Sequence, residues 1–317
     1  MSKVIRLIVN PAAGGGKAGR VLADVLAALD AQGLQVRSEL TRDLAHAREL
    51  AREAASAGET IVCLSGDGML GAVADVLREF PAAVLGVLPG GRGNDLARVL
   101  GIPSDPAAAC AVIAAGFSRK LDLGEVGGKA FVGIASVGFD SDANRIANEA
   151  PAWLGGLVYA YGALRALIFW RPARFQIELD RQGGRHTFEG YTVGACNSKT
   201  YGGGMRAAPD ALLDDGLLDV VVLEKVSKFS FLTKILPKAF SGTHVREPSV
   251  KVFRAREVAI SADRPFTMYA DGDPIGELPL RVRVLAGAVR VLVPSNGAPA
   301  DAFLGGEKTE DVAVAER

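Results

Sequence analysis

The first 120 residues alternate two kinds of segment, and this alternation restricts the fold more than any other feature. Short, continuous apolar runs, "VIRLIVN" (4–10), "TIVCLS" (60–65) and "AAVLGVLPG" (82–90), are separated by stretches with apolar residues at helical spacing. Val21, Leu22, Val25, Leu26 and Leu29 make one such stripe; Leu44, Ala47, Leu50 and Ala51 make a second within 43–57; residues 69–79 carry a third. "LQVRSEL" (34–40) alternates as a further strand. Runs without polar alternation suit strands buried on both faces, as in a parallel sheet. The β-α-β-α order therefore predicts a parallel sheet with helices on both of its faces.

The rhythm changes near Leu121–Gly124. "KLDLGEV", "AFVGIASVGF", "RFQIELD", "TFEGYTVGACN", "LLDVVVLE", "VKVFRAREVAISA", "FTMYADGD", "LRVRVLAG" and "AVRVLVP" read as short strands with little helix between them. This is all-β character, interrupted by helical insertions over roughly 140–171 and 227–241. The predicted organisation is an α/β domain over 1–122, an all-β domain over 123–294, and a tail over 295–317 that either packs back on the first domain or is disordered.

Composition narrows the function classes. Lys plus Arg equals Asp plus Glu at 36 each, so no global charge points to nucleic acid. Cys63, Cys110 and Cys196 lie far apart, which is neither a disulfide framework nor a zinc pattern and suits a reducing cytosol. The N-terminal apolar run is too short for a signal peptide, and no stretch approaches ~18 uninterrupted apolar residues. His46, His186 and His244 are scattered and form no metal or triad pattern. Nothing sets the oligomeric state; a homodimer is among the states allowed.

Glycine clusters carry the chemistry. "NPAAGGGKAGR" (10–20) follows the first strand, "SGDGML" (65–70) the third and "PGGRGNDLAR" (89–98) the fourth. Glycines let backbone N–H groups approach an anion, a helix N-terminus adds a favourable dipole, and Lys17 adds a charge. The first loop fits neither G-x-x-x-x-G-K-[ST] nor G-x-G-x-x-G. Asp67 and Asp95 stand just beyond strand C-termini, the edge where open α/β sheets bind ligands. Together they suit a cation such as Mg²⁺, with Asp122 a candidate third acid. A plain turn is the competing reading for Asp67 and Asp95, and an ordinary strand-terminal acid for Asp122. In "YADGDPIG" (269–276), Asp271 and Asp273 are read equally well as a type I′ hairpin turn or as acids of the site.

Taken together, these motifs resemble the bacterial diacylglycerol kinase catalytic-domain family, soluble lipid kinases related to sphingosine and ceramide kinases and, more distantly, to NAD kinases. "NPAAGGGK" looks like the family's NP-x-x-G loop, "SGDGML" resembles G-G-D-G-T, and "PGGRGNDLAR" is similar to P-x-G-T-x-N-D-F-A-R. "YGGGMRAAPDALLDDGLLDV" (201–220) resembles a stretch of the family's C-terminal domain, and "DGD" (271–273) stands where D-G-E is usual. The likeness runs in order over about 4–294. It implies an N-terminal three-layer α/β nucleotide-binding domain, a C-terminal β-sandwich of the NAD kinase/diacylglycerol kinase type, and transfer of the γ-phosphoryl of ATP to a lipid hydroxyl.

Carried over residue by residue, the resemblance implies that Asn10, Gly14 and Lys17 line the triphosphate and that Thr41 contacts the nucleotide. It implies that Gly66, Asp67, Gly68 and Asn94 surround phosphate and Mg²⁺, within an acid network of Asp67, Asp95 and Asp122. Asp271 matches the general base, with Asp67 the alternative, and Asp273 lies near the metal. Asp215 and Asp219 look like a second, structural Mg²⁺ site. Ser65, Met69, Gly71-Ala72, Arg92 and Asp273 depart from the pattern, and Arg92 is a candidate phosphate contact through its fork of donors. The implied partner is a lipid at a membrane surface, reached by a cytoplasmic, peripherally associated protein. "YAYGALRALIFWRPARF" (159–175) and "KVSKFSFLTKILPKAF" (225–240) combine apolar and basic residues suited to such a surface, with core packing the competing reading. Asp140 lies where relatives approach the lipid headgroup, or caps a helix. Alternatives are a kinase for a sphingoid base or glycolipid precursor, an NAD kinase-like enzyme, and a lipid-binding regulator without turnover.

Overall fold

The computed structural model describes residues 4–151, 158–180, 184–295, 299, 301–304 and 310–311. The chain divides into two compact units: Met1–Leu123 with Leu212–Asp215 and Leu285–Arg317, and Gly124–Ala211 with Gly216–Val284.

Unit 1 contains β1 (Ile5–Val9), α1 (Ala13–Ala31), β2 (Val36–Leu40), α2 (Leu44–Ser56), β3 (Thr60–Ser65), α3 (Asp67–Leu77), β4 (Val84–Pro89), α4 (Asp95–Val99), α5 (Pro106–Ala115) and the start of β5 (Phe117–Val126). Strands β4, β3, β1 and β2 lie side by side in that order, all parallel. Every residue of β1, β3 and β4 is buried, as their unbroken apolar runs require. The alternating strand β2 is partly exposed and stands at the end of the row, where one side of a strand meets water. Helix α1 packs with α5, and α2 with α3. Arg6, buried in β1, is held by ion pairs to Glu39 and, at 2.9 Å, Glu59, so its charge is compensated inside the sheet.

Unit 2 contains β6 (Lys129–Phe131), β7 (Ile134–Gly138), α6 (Phe139–Asn148), α7 (Val158–Phe169), β8 (Ala173–Leu179), β9 (Arg185–Cys196), β10 (Leu218–Glu224), a helical segment over 228–241, β11 (Val250–Ala255), β12 (Glu257–Ala262), β13 (Thr267–Ala270) and β14 (Asp273–Glu277). Its strands pair antiparallel. The first half of β9 pairs with β8, and the second half lies between β7 and β10. Strand β8 alternates buried and accessible positions, the pattern of a sheet with one face on the core. Phe175, Ile177, Val193, Val220, Val258 and Met268 build that core. A second cluster lies where α7 and the 228–241 segment cover Tyr191, with Phe139, Trp170 and Phe231 packed around it.

Three local readings change. "VKVFRAREVAISA" is two strands broken at Arg256, not one. The insertion at 140–171 is two helices, with 152–157 outside the described residues. The segment 228–241 passes through a π-turn at Phe231–Ile235 just ahead of Pro237, whose missing N–H interrupts the regular ladder.

Unit 1 runs from Met1 to Leu123 and takes in two later stretches, so neither unit is one continuous segment. "LRVRVLAG" and "AVRVLVP" form one strand, β15 (Leu280–Leu292). Its first part pairs with β12, while Arg290 and Val291 pair in parallel with Val84 and Leu85 of β4. Residues 285–294, assigned to the second domain from local pattern, thus belong to unit 1, as do 212–215. In the described tail, Ala302 accepts from Leu213 N at 2.9 Å, Leu304 N donates to Asp214 at 2.6 Å, and Arg119 stacks 3.9 Å from the Phe303 ring centre. The rest of the tail lies outside the described residues. Among the described residues, no helix is long and apolar enough to cross a membrane.

Candidate active site

In unit 1 the loops leaving β1, β3 and β4 meet at the C-terminal edge of the parallel strands. Gly14, Gly15 and Gly16 all have positive φ, at 62°, 67° and 84°, which L side chains resist. A Cβ on Gly14 would sit 2.5 Å from the carbonyl oxygen of Gly90, and one on Gly91 would sit 2.4 Å from the Cα of Gly66. The three loops therefore touch backbone to backbone, with no room for side chains between them. Backbone lines this edge, where glycine loops suit the close approach of a phosphate; the N–H groups of Gly16, Gly90 and Gly91 are bonded within the loops, to Ala12 O, Ser65 O and Asn94 Oδ1.

Side chains fix the edge. Asn10 accepts from Ala12 N at 3.1 Å and turns the chain into α1. Asn94, at φ 51°, accepts from Gly91 N at 2.7 Å and donates to Gly91 O at 3.0 Å. Its amide thus locks the 91–94 loop into a closed turn, a role the sequence reading missed when it placed Asn94 against phosphate. Asp67 opens α3, and its Oδ1 accepts from Leu96 N at 3.1 Å, tying the start of α3 to that of α4. Its other oxygen has no partner among the described residues. Thr41 bonds to Val9 O at 3.1 Å and faces the sulfur of Met69 at 4.0 Å. Met69 is buried; its departure from the usual Thr fills space beside Thr41 with an apolar group. Gly68 and Arg92 are exposed and Lys17 is half-buried.

The acids do not assemble into one ready cluster. Asp95 is buried at the first position of α4, 3.9 Å from Arg98 Nε. Asp122 is buried in β5, where it accepts from Gly287 N at 2.7 Å. Among the described residues, no three His, Cys, Asp or Glu side chains come together as a metal-holding group. Magnesium does not require one, because it binds through one or two carboxylates, substrate phosphates and water. Asp67, with one unpartnered oxygen at the loop edge, fits that description best.

In unit 2, Asp271 and Gly272 have φ of 48° and 96° and make the tight turn between β13 and β14. Successive positive φ values are the type I′ signature, so the turn reading holds. The carboxylate does more than turn the chain. Its oxygens accept from Val132 N at 2.7 Å, Gly133 N at 2.9 Å and Ile134 N at 3.1 Å. A Cβ on Gly133 would lie 2.7 Å from Asp271 Oδ1, so that glycine is required for the contact. Asp273 is exposed at the start of β14. Asp219 is buried in β10 with Arg254 at 3.6 Å, and Asp215 lies in unit 1. The neighbouring Asp214, in the same 201–220 stretch, holds Arg119 at 2.9 Å.

Asp140 begins α6. Burial pushes its carboxyl up to about 6, opposed by hydrogen bonds from Thr192, at 3.0 Å, and Tyr201. The three thiols are buried, and burial alone raises Cys63 to about 12.

The comparisons with known proteins agree with these two halves. Residues 4–126 match the diacylglycerol kinase catalytic domain, and 133–293 match the YegS C-terminal NAD kinase beta sandwich-like domain. The chain is 31% identical to a diacylglycerol kinase of Mycobacterium tuberculosis over 303 residues, 92% of this chain and 96% of that one. It is 29% identical to a diacylglycerol kinase of Bacillus subtilis, covering 93% and 98%. A crystal structure of a diacylglycerol kinase from Bacillus anthracis superposes with a TM-score of 0.74 at 21% identity, over 94% of this chain and 99% of that chain, which supports the fold. The chain, an α/β domain followed by a β-sandwich-like domain, belongs to the diacylglycerol kinase catalytic-domain family and is a kinase.

Proposed function

We propose that this kinase transfers the γ-phosphoryl group of ATP to a lipid hydroxyl, converting diacylglycerol to phosphatidic acid with ADP as the second product. The observation that carries the nucleotide half is the side-chain-free meeting of the three glycine loops at the sheet edge. Phosphoryl transfer is catalysed chiefly by positioning and by charge stabilisation, and a backbone cradle supplies both. Asn10, Gly14, Lys17, Thr41, Gly66, Gly68 and Arg92 are our assignments for the nucleotide contacts, with Asn94 holding the loop shape. Asp67 is assigned to Mg²⁺, assisted by Asp95 and Asp122, with Asp273 as a further candidate. When bound, Mg²⁺ offsets the phosphate charge. Asp219 is committed to Arg254, so a structural cation at Asp215 and Asp219 rests on the resemblance alone.

Asp271 is our assignment for the group that receives the acceptor hydroxyl's proton. Three backbone donors hold its carboxylate in place, as a positioned base requires. The acceptor is a lipid because the relatives are diacylglycerol kinases and because unit 2 displays an apolar tip. Ile168, Phe169 and Phe229 are 61%, 79% and 77% exposed, and Lys228 Nζ joins the two segments by donating to Ile168 O at 2.7 Å. Apolar side chains set among Arg165, Arg171 and Lys228 suit peripheral docking on an anionic bilayer from the cytosol. Incubation with γ-labelled ATP and a panel of diacylglycerol, sphingoid base, glycolipid and NAD in mixed micelles tests the assignment. Label entering phosphatidic acid is expected; preferential labelling of another acceptor would replace diacylglycerol.

A further inference from the structure

Unit 2 holds a cavity of about 310 Å³ between the first turns of α6, the residues ending α7 and the turn before β13. Three guanidinium groups line it, those of Arg145, Arg171 and Arg264, against one carboxylate, Asp142. Arg264 and Arg145 are held by neighbours, and Arg171 is exposed. Arg264 lies over the rings of Trp170 and Phe266, 5.4 and 4.8 Å from their centres, and donates to the carbonyl of Arg171. Arg145 is 3.9 Å from Asp142 and 3.4 Å from Glu149. Trp170 also lines the cavity and is only 4% exposed, yet its indole Nε1 has no acceptor among the described residues. A buried indole donor without an acceptor is uncommon, but the atom is fully covered, so Trp170 contributes the wall of the cavity rather than a donor to its contents. Phe169, 79% exposed, also lines the cavity.

We infer that this cavity is a binding site for a phosphate group, and specifically for the phosphate of an anionic phospholipid headgroup. Guanidinium forks match phosphate oxygens in geometry and charge. The exposed phenyl ring beside them suits the acyl portion of the same molecule. Uncharged diacylglycerol offers three arginines acceptors but no negative charge, so the occupant differs from the proposed acceptor. Thr267 and Tyr269 line the same cavity on β13, which runs directly into Asp271. A bound anionic lipid would therefore rest against the strand that carries the proposed base. The binding itself does not depend on the kinase reading; only that consequence does.

Trp153 and Trp170 are the two tryptophans, so Trp153→Phe leaves Trp170 as the sole indole reporter. This protein is titrated with glycerol phosphate, with phosphatidylcholine vesicles, and with phosphatidylcholine vesicles containing phosphatidylglycerol. A saturable change in Trp170 emission with the anionic vesicles is expected, together with a loss of at least about tenfold in affinity in Arg145→Gln/Arg264→Gln. A response to glycerol phosphate as well assigns the phosphate group itself; a response to anionic vesicles alone assigns the headgroup at a surface. No response to any anion, an equal response to neutral vesicles, or a response that survives the double substitution overturns the proposal. Vesicle co-sedimentation of the unsubstituted chain and of Arg145→Gln/Arg264→Gln repeats the comparison without Trp153→Phe. The melting temperature and ATP affinity of each variant show whether the fold and the nucleotide site are intact.

Discussion

Gly91→Ala tests the geometry on which the nucleotide half depends. The added Cβ would sit 2.4 Å from the Cα of Gly66 and 3.0 Å from Asn94 Oδ1, both parts of the loop edge. Ordinary carbon contacts begin near 3.4 Å, so the two loops must separate by about 1 Å, and the obstruction is backbone that cannot rotate away. Forcing a methyl into such a contact costs about 1–3 kcal/mol. For a unit of this size that lowers the melting temperature by roughly 2–12 °C. The larger effect falls on function, because displacing a binding group by about 1 Å costs on the order of 10²-fold. Affinity for a fluorescent ATP analogue, measured by titration, should fall at least about tenfold. Gly68→Ala is the stability control, since nothing lies within 4 Å of its added Cβ; as a helical position of α3, it should melt at or slightly above the parent. If Gly91→Ala melted with the parent and bound ATP equally well, the backbone-to-backbone cradle would be refuted.

Further outcomes follow from the same geometry. Gly133→Ala places a Cβ 2.7 Å from Asp271 Oδ1; turnover should drop sharply while ATP affinity stays unchanged, and equal turnover would remove Asp271 from the reaction. Arg92→Ala, at an exposed position, should raise the KM for ATP several-fold, and an unchanged KM ends its role as a phosphate contact. Asp140 has a folded-state value of about 6 against 3.8 for the free group, so the folded state binds a proton more readily. Its protonated form favours folding below about pH 4, and that contribution, up to about 3 kcal/mol, is lost as pH rises through 6. Asp140→Asn should then be more stable than the parent at pH 7 and similar at pH 4 in denaturant titrations; parallel profiles would contradict the buried carboxyl. The three cysteines are buried, so a thiol reagent should label none in the native protein and all in denaturant.

The α/β half was legible because doubly buried strands and amphipathic helices leave unmistakable local patterns. Strand β8 was equally readable from its alternation. What local pattern does not carry is partnership. "LRVRVLAG" and "AVRVLVP" look like two strands of one sheet, yet they form a single strand whose end pairs with β4. The motifs located Asp67, Asp271 and the glycine loops, but not the way each is held. Asn94 closes its own loop through Gly91, and Asp271 is fixed by amides more than 130 residues away. The contacts of Asp271 depend on folded proximity, which spacing along the chain cannot reveal.

The central claim is that the loop edge around Asp67 serves ATP while Asp271 serves a lipid hydroxyl. It is tested most directly by following γ-labelled ATP with diacylglycerol micelles in the parent, Asp67→Asn and Asp271→Asn proteins. The expected result is labelled phosphatidic acid from the parent alone, with ATP binding weakened in Asp67→Asn and retained in Asp271→Asn. A parent protein that labels no lipid, or an Asp67→Asn protein that labels it at the full rate, would contradict the account.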